Sequence, residues 1–146
     1  MNEIFIHQDL WYGVITSTIC AFIIGVEREI KKKPAGIRSM ILISVGCSIL
    51  TWVSKDISIS SAGVDPTRII GQIITGIGFL GGGTILKNDD KIHGITTAAF
   101  VWIASSMGIM SGLGYIREPI ILTIGLVVVS ILLERVEKLV TKKKQE

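Results

Sequence analysis

Five long apolar blocks, separated by short polar turns, run along the chain at roughly 10–26, 37–53, 69–86, 96–114 and 120–133. Their apolar residues come in continuous runs and do not alternate as half-buried strands would. A helix needs about 20 residues to cross the hydrocarbon core, with about 17 as the lower limit. The pattern predicts an all-α membrane protein with spanning helices over about 10–28, 37–54, 68–86, 95–114 and 118–140. The last span gains length from Leu139 and Val140 if Glu134 and Arg135 snorkel. A four-span arrangement, with one block re-entrant, is the alternative.

Charge decides between the two. With five spans and the N-terminus outside, Arg28, Lys31, Lys32, Lys33, Arg38, Lys87, Lys91 and the basic residues of the tail all fall inside, and only Lys55, Arg68 and Arg117 stay outside. That asymmetry is what the positive-inside rule favours, and it places the C-terminus in the cytoplasm. The net charge of +3 then reflects orientation, with no reason to invoke nucleic acid. Composition agrees with a bilayer as the main partner: 49% of residues are apolar, 18% are charged, and the mean hydropathy is +0.60. The first block lacks the basic leader and small-residue cleavage site of a signal peptide. Cys20 and Cys47 sit inside apolar blocks as small packing residues. The whole of 1–146 is expected to form one transmembrane domain, with no soluble C-terminal domain after the fifth helix.

A gapless shift of 58 residues lays the first hairpin on the second: Gly13 falls on Gly71, Gly25 on Gly83, Lys33 on Lys91 and Gly36 on Gly94. The turns KPAGIRS and KIHGITT align best. A duplicated two-helix unit keeps its orientation, so the implied symmetry axis runs along the membrane normal.

The third block, RIIGQIITGIGFLGGGTILK, carries Gly71, Gly76, Gly78, Gly81, Gly82 and Gly83. Each glycine weakens an isolated helix by roughly 1 kcal/mol relative to alanine. On a helix, Gly71, Thr75, Gly78 and Gly82 form one stripe and Gly76 and Gly83 another; Gly78 and Gly82 make a GxxxG pair. Small residues let helices approach closely in lipid, so this helix is expected at the centre of the bundle. Alternatively, Gly81–Gly83 break the helix and free carbonyls to line a polar path.

Polar residues cluster at the block ends. In GVERE, Glu27 and Glu29 sit at a helix C-terminus, where acids are disfavoured, and Arg38 opens the next helix, where a cation is disfavoured. A salt bridge across the KKKPAG turn would relieve both; the functional alternative is an inner polar mouth involving Arg28 as well. In VDPTR, Asp65 is an N-cap candidate and Pro66 fits a first helical turn. Arg68 and Gln72 follow on the same side, and with Glu118 they could make an outer mouth. Thr96 and Thr97 can cap the fourth helix or bond across to another one. Glu27 and Asp65 are weak metal candidates: no ligand motif supports Mg2+, and no cofactor is implied. His7 and His93 are expected in exposed positions. With no HExxH, no supported Ser-His-Asp grouping and no acidic calcium loop, enzyme activity is not expected.

The segments GVEREIKKKPAGIRS, DPTRIIGQIITGIGFLGGGTIL and GITTAAFVWIASSMGIMSGLGY resemble the N-terminal membrane domain of the MgtC/SapB family over roughly residues 10–133. The resemblance implies a multi-pass protein of the bacterial cytoplasmic membrane, linked to magnesium homeostasis and to virulence-associated survival in low magnesium or inside host cells. It implies either a regulator acting through membrane-protein partners, such as ATP synthase or transporters, or a small ion transporter working as a homo-oligomer, a dimer in the simplest case. By motif, Glu27, Arg28, Arg38, Asp65, Arg68 and the Gly76–Gly83 cluster carry over as functional positions. Many members add a soluble C-terminal domain, whose functions are not transferred to this chain.

Overall fold

The computed structural model describes residues 2–61, 63–88 and 91–142. Five helices and one small hairpin follow in the order α1 (Asn2–Ile30), α2 (Ile37–Ser60), α3 (Thr67–Gly83), β1 (Leu86–Asn88), β2 (Lys91–His93), α4 (Ile95–Leu113) and α5 (Arg117–Lys142). Among the described residues, four helical segments are long and apolar enough to cross a membrane: Gln8–Ile30, Ile37–Ser60, Ile95–Leu113 and Arg117–Val140. At 1.5 Å per residue, the 17-residue α3 reaches only about 25 Å, short of a hydrocarbon core of about 30 Å.

Each helix ends for a local reason. After Ile30, Lys32 turns to φ 51°, and the Lys33 N–H donates back to the Arg28 carbonyl at 3.0 Å. This is a Schellman-type closure with lysine in the place glycine usually takes. At the end of α4, Gly114 has φ 102° and the Tyr115 N–H reaches the Met110 carbonyl at 3.1 Å. α3 stops at Gly83 because the Thr84 and Ile85 N–H groups turn back to the Gly81 and Gly82 carbonyls, both at 3.0 Å. β1 and β2 pair antiparallel, with Leu86 opposite His93 and Asn88 opposite Lys91; Asp89 and Asp90 lie outside the described residues.

The core lies where α1, α2 and α4 meet, and α2 with α4 is its densest seam. Small residues make that seam. A Cβ at Gly108 would overlap the Ser44 carbonyl oxygen, and one at Gly112 would overlap the Ser48 carbonyl oxygen. Gly13 of α1 completes the junction, where an added Cβ would lie 2.9 Å from the Ser111 carbonyl oxygen. Ser17, Ser44, Ser48, Thr51, Ser105 and Ser111 are buried around it, and Ala21, Ile24, Met40, Cys47, Val101 and Ala104 fill the rest. Helices packed this closely in lipid are held by van der Waals contact between backbones.

The expectation of a central α3 is corrected. α3 packs against α4 and α2 from the rim, through Ile73, Ile77 and Gly81, one turn apart on one face. A Cβ at Gly71, Gly76, Gly78, Gly82 or Gly83 would meet nothing within 4 Å, and only Gly81 touches a neighbour, at Ala98 and Trp102 of α4. Ile73 and Ile77 supply most of the apolar surface this face buries, and of the six glycines only Gly81 joins them. Nor do the glycines break the helix, which continues through Gly83. α5 is the other outer element; it contacts α1 and α4, and most of its apolar side chains face outward.

Candidate functional site

Charge gathers where the C-terminal end of α1, the N-terminal end of α4 and the distal half of α5 come together. Arg28 is the largest fully buried side chain of the chain's described residues, at 1% exposed. Its Nη2 donates to Thr97 Oγ1 at 3.1 Å. Its Nη1 lies 3.5 Å from Glu27 Oε2. The guanidinium carbon stands 4.5 Å from the Phe100 ring centre, a cation–π geometry that helps a charge tolerate burial. Glu27, also buried, meets Lys31 Nζ at 2.5 Å. Lys31 extends the network to Glu134 of α5, which Lys138 also pairs at 2.8 Å. Burial works against the charge of Lys31, yet the carboxylates of Glu134 and Glu27 hold its pKa above the ordinary lysine value.

Two cavities open at this network. The larger, about 800 Å³, lies between α1, α4 and α5, with Arg28, Lys31 and Glu134 at one end and Phe100, Ile103 and Leu126 along its wall. The smaller, about 290 Å³, lies beneath the hairpin at the start of α4.

The salt bridge expected between Arg38 and Glu27 or Glu29 is not formed. Arg38 is exposed and pairs with neither acid. Glu29 instead turns its Oε2 to the Ile37 N–H at 3.3 Å, capping α2 at its positive end. Gly36 makes this possible, since a Cβ there would overlap the Glu29 carboxylate. A carboxylate thus satisfies a helix N-terminus directly, and Glu27 finds its cations within its own helix turn.

At the opposite end, Asp65 Oδ1 accepts from the Thr67 N–H at 2.8 Å and the Thr67 hydroxyl at 2.7 Å. Those bonds, with a smaller contribution from Arg68, hold the Asp65 carboxyl below the usual carboxylate range. Arg68, Gln72 and Glu118 are exposed, and neither Asp65 nor Glu118 forms an ion pair with Arg68. The expected outer mouth is therefore not assembled within one chain. Gln72 instead edges an apolar groove of about 680 Å³ between α2 and α3. Thr75 bonds its own helix at the Gly71 carbonyl, 3.0 Å away. Thr96 is exposed at the start of α4, while Thr97 turns inward to Arg28. His93 is exposed on β2; the side chain of His7 lies outside the described residues.

Among the described residues, no three of His, Cys, Asp and Glu gather as a metal-holding group. Lys31, Glu134 and Phe100 were not singled out from the sequence. The i,i+4 spacings of Glu27 to Lys31 and Glu134 to Lys138 were the available signal, but pairing α1 with α5 needs tertiary information.

A bundle of long apolar helices, with a buried arginine–glutamate pair at one end, defines a polytopic α-helical membrane protein. The sequence model of the MgtC family matches residues 14–139, and the chain belongs to that family. It is 36% identical over 146 residues to an uncharacterized protein of Haemophilus influenzae, covering 95% of this chain and 61% of the relative. It is 38% identical over 120 residues to "Protein SapB" of Bacillus subtilis, covering 78% and 52%. It is 39% identical over 106 residues to "Putative magnesium transporter YhiD" of Escherichia coli, covering 69% and 49%. The chain thus spans between about half and three-fifths of the length of these relatives. No solved structure matches it.

Proposed function

We propose that the chain is a regulatory protein of the bacterial cytoplasmic membrane, tied to magnesium homeostasis, that works by docking its helices on other membrane proteins or on a second copy of itself. The observation that carries this reading is the bare glycine face of α3. Gly71, Gly78 and Gly82 lie on one stripe with nothing within 4 Å of an added Cβ. In lipid such a face gains by meeting another helix, because its flat surface allows close backbone approach. The internal repeat sharpens the point. Gly13 and Gly25 of α1 are both tightly packed, whereas their counterparts Gly71 and Gly83 in α3 are bare. Five spans, an external N-terminus and a cytoplasmic C-terminus fit this reading, and the short α3 is easier to seat in a bilayer against a partner helix. The magnesium link rests on the family and on the name of the Escherichia coli relative.

The second reading is a small oligomeric transporter for magnesium or another cation. The buried Glu27–Arg28–Lys31 network beside the 800 Å³ cavity favours it, since ionisable groups in membranes often mark ion paths. Magnesium uptake into liposomes holding only the purified protein separates the two. Saturable uptake above protein-free vesicles would overturn the regulatory reading. No uptake, together with photo-crosslinks from position 78 to another transmembrane helix in cells, supports it.

A further inference from the structure

The small cavity at the start of α4 has a basic and hydroxyl-rich lining. Arg28, Lys33 and His93 line it, with the hydroxyl-bearing Thr84, Thr96 and Thr97, and none of its described lining residues is acidic. It faces the N-terminus of a 19-residue helix. The first intrahelical bond there runs from the Ala98 N–H to the Gly94 carbonyl, and no side chain caps the helix. The N–H groups of Ile95, Thr96 and Thr97 and the positive end of the helix dipole are therefore directed at this end. Gly94, at φ 92°, is pressed so close to the Thr84 carbonyl that any Cβ would overlap it, which fixes the hairpin over the helix end. A second observation points the same way. Arg28 is 1% exposed, and although Nη1 and Nη2 have partners, its Nε has none among the described residues. A buried guanidinium donor without an acceptor is costly, and Arg28 is among the residues that line this cavity.

We propose that this cavity binds a phosphate group. The Thr84 hydroxyl already donates to the Gly81 carbonyl, but a guanidinium, an ammonium, the Thr96 hydroxyl and helix N–H groups at one space suit an acceptor with several oxygens and negative charge, and a tetrahedral phosphate supplies both. Glu27, which pairs with Arg28, is shared with Lys31. The phosphate has two sources. It can be free phosphate, or it can belong to an anionic phospholipid. The larger cavity shares Arg28, Lys33 and Thr96 with the small one and continues between α4 and α5 past Phe100 and Leu126, a path suited to an acyl chain. Glu134 and Glu137 line only the larger cavity. This site is separate from the α3 face, so either proposal can fail without the other.

The test uses the purified full chain in phosphatidylcholine nanodiscs. Its thermal midpoint is followed against inorganic phosphate, with chloride at matched ionic strength as control, and in a second arm against added phosphatidylglycerol. The same titrations are run on Lys33→Gln and Thr96→Val, both at exposed positions, and on Lys87→Gln, which removes a cation outside the cavity. We expect the wild-type midpoint to rise, and Lys33→Gln to need about tenfold more ligand for half the effect, the loss of one charge-assisted hydrogen bond. Thr96→Val should weaken binding less, and Lys87→Gln should match the wild type. A rise with phosphate alone assigns the site to the free anion. A rise with phosphatidylglycerol alone assigns it to a headgroup, and a rise with both shows a site open to either. No rise in either arm overturns the proposal, as does a rise that Lys33→Gln leaves unchanged or that Lys87→Gln weakens equally.

Discussion

Replacing Gly108 by alanine and Gly78 by alanine should have opposite effects, although both are glycines on apolar helices. At Gly108 the new methyl group would overlap the Ser44 carbonyl oxygen and crowd Cys47 Cβ. The clash is with backbone, so no side-chain rotation relieves it, and α2 must move back along its seam with α4. Overpacking costs about 1–3 kcal/mol, and a rigid backbone neighbour puts this site near the upper end. Alanine recovers about 1 kcal/mol of helix propensity. The net expectation is a loss of about 2 kcal/mol. At Gly78 nothing lies within 4 Å of the new methyl, so the propensity gain of up to about 1 kcal/mol stands alone in the isolated chain. Both values can be read from reversible unfolding in mixed micelles at low protein concentration, where association is suppressed. A neutral Gly108→Ala would refute the close seam. A destabilised Gly78→Ala under those conditions would refute the rim position of α3.

Lys31→Met should cost about 2–3 kcal/mol in the same assay, because it takes from the buried Glu27 carboxylate the nearer of its two cations and leaves only Arg28, whereas Lys138→Met, at the exposed end of the network, should cost about 0–1 kcal/mol; equal losses would contradict the network. Lys32→Gly should stabilise by about 0.5–1 kcal/mol, since lysine at φ 51° occupies a left-handed turn that glycine adopts without strain; an unfolding midpoint at or below wild type would show that the turn carries no such strain. Asp65 has a depressed carboxyl pKa, so its contribution to stability is present above the ordinary value of 3.8 and is lost as pH falls through the lower folded value. Asp65→Asn should keep the cap and show no such acid step, while Asp65→Ala should lose the cap throughout; acid unfolding curves for the three chains test this. Arg38→Ala should leave stability within about 0.5 kcal/mol of wild type, because its side chain is exposed and unbridged.

Block length and hydropathy were enough to find all five helices, because burial in lipid leaves long uninterrupted apolar runs. The ends were legible only in part. Asp65 bonds the first turn of α3 as its chemistry predicts, but the turn after α1 is made by Lys32, a residue with no preference for positive φ. The centre of the bundle was misassigned for a physical reason. Small residues permit close packing without requiring it, so the glycine-dense α3 looked central while the sparser pair Gly108 and Gly112 made the actual close seam. What separated them was the partner surface, Ser44 and Ser48 on α2, which no single helix reveals. Glu27 and Arg28 were recognised as candidates, but their partners Lys31, Thr97 and Phe100 follow from how α1 meets α4, not from the charges themselves.

The seam between α2 and α4 also sets a schedule for biogenesis. Ser44, Ser48 and Thr51 face α4 and are buried with hydroxyls that lack a partner among the described residues. α4 emerges from the ribosome roughly sixty residues later. At about 5–20 residues per second, α2 waits about 3–12 s before its mate exists. During that interval the narrow groove on α2 that Gly108 and Gly112 will later fill lies uncovered, so only α1 and the insertion machinery can pack against it. A nascent chain stalled before residue 108 should therefore remain crosslinked to the translocon through α2, and should release once α4 has been made.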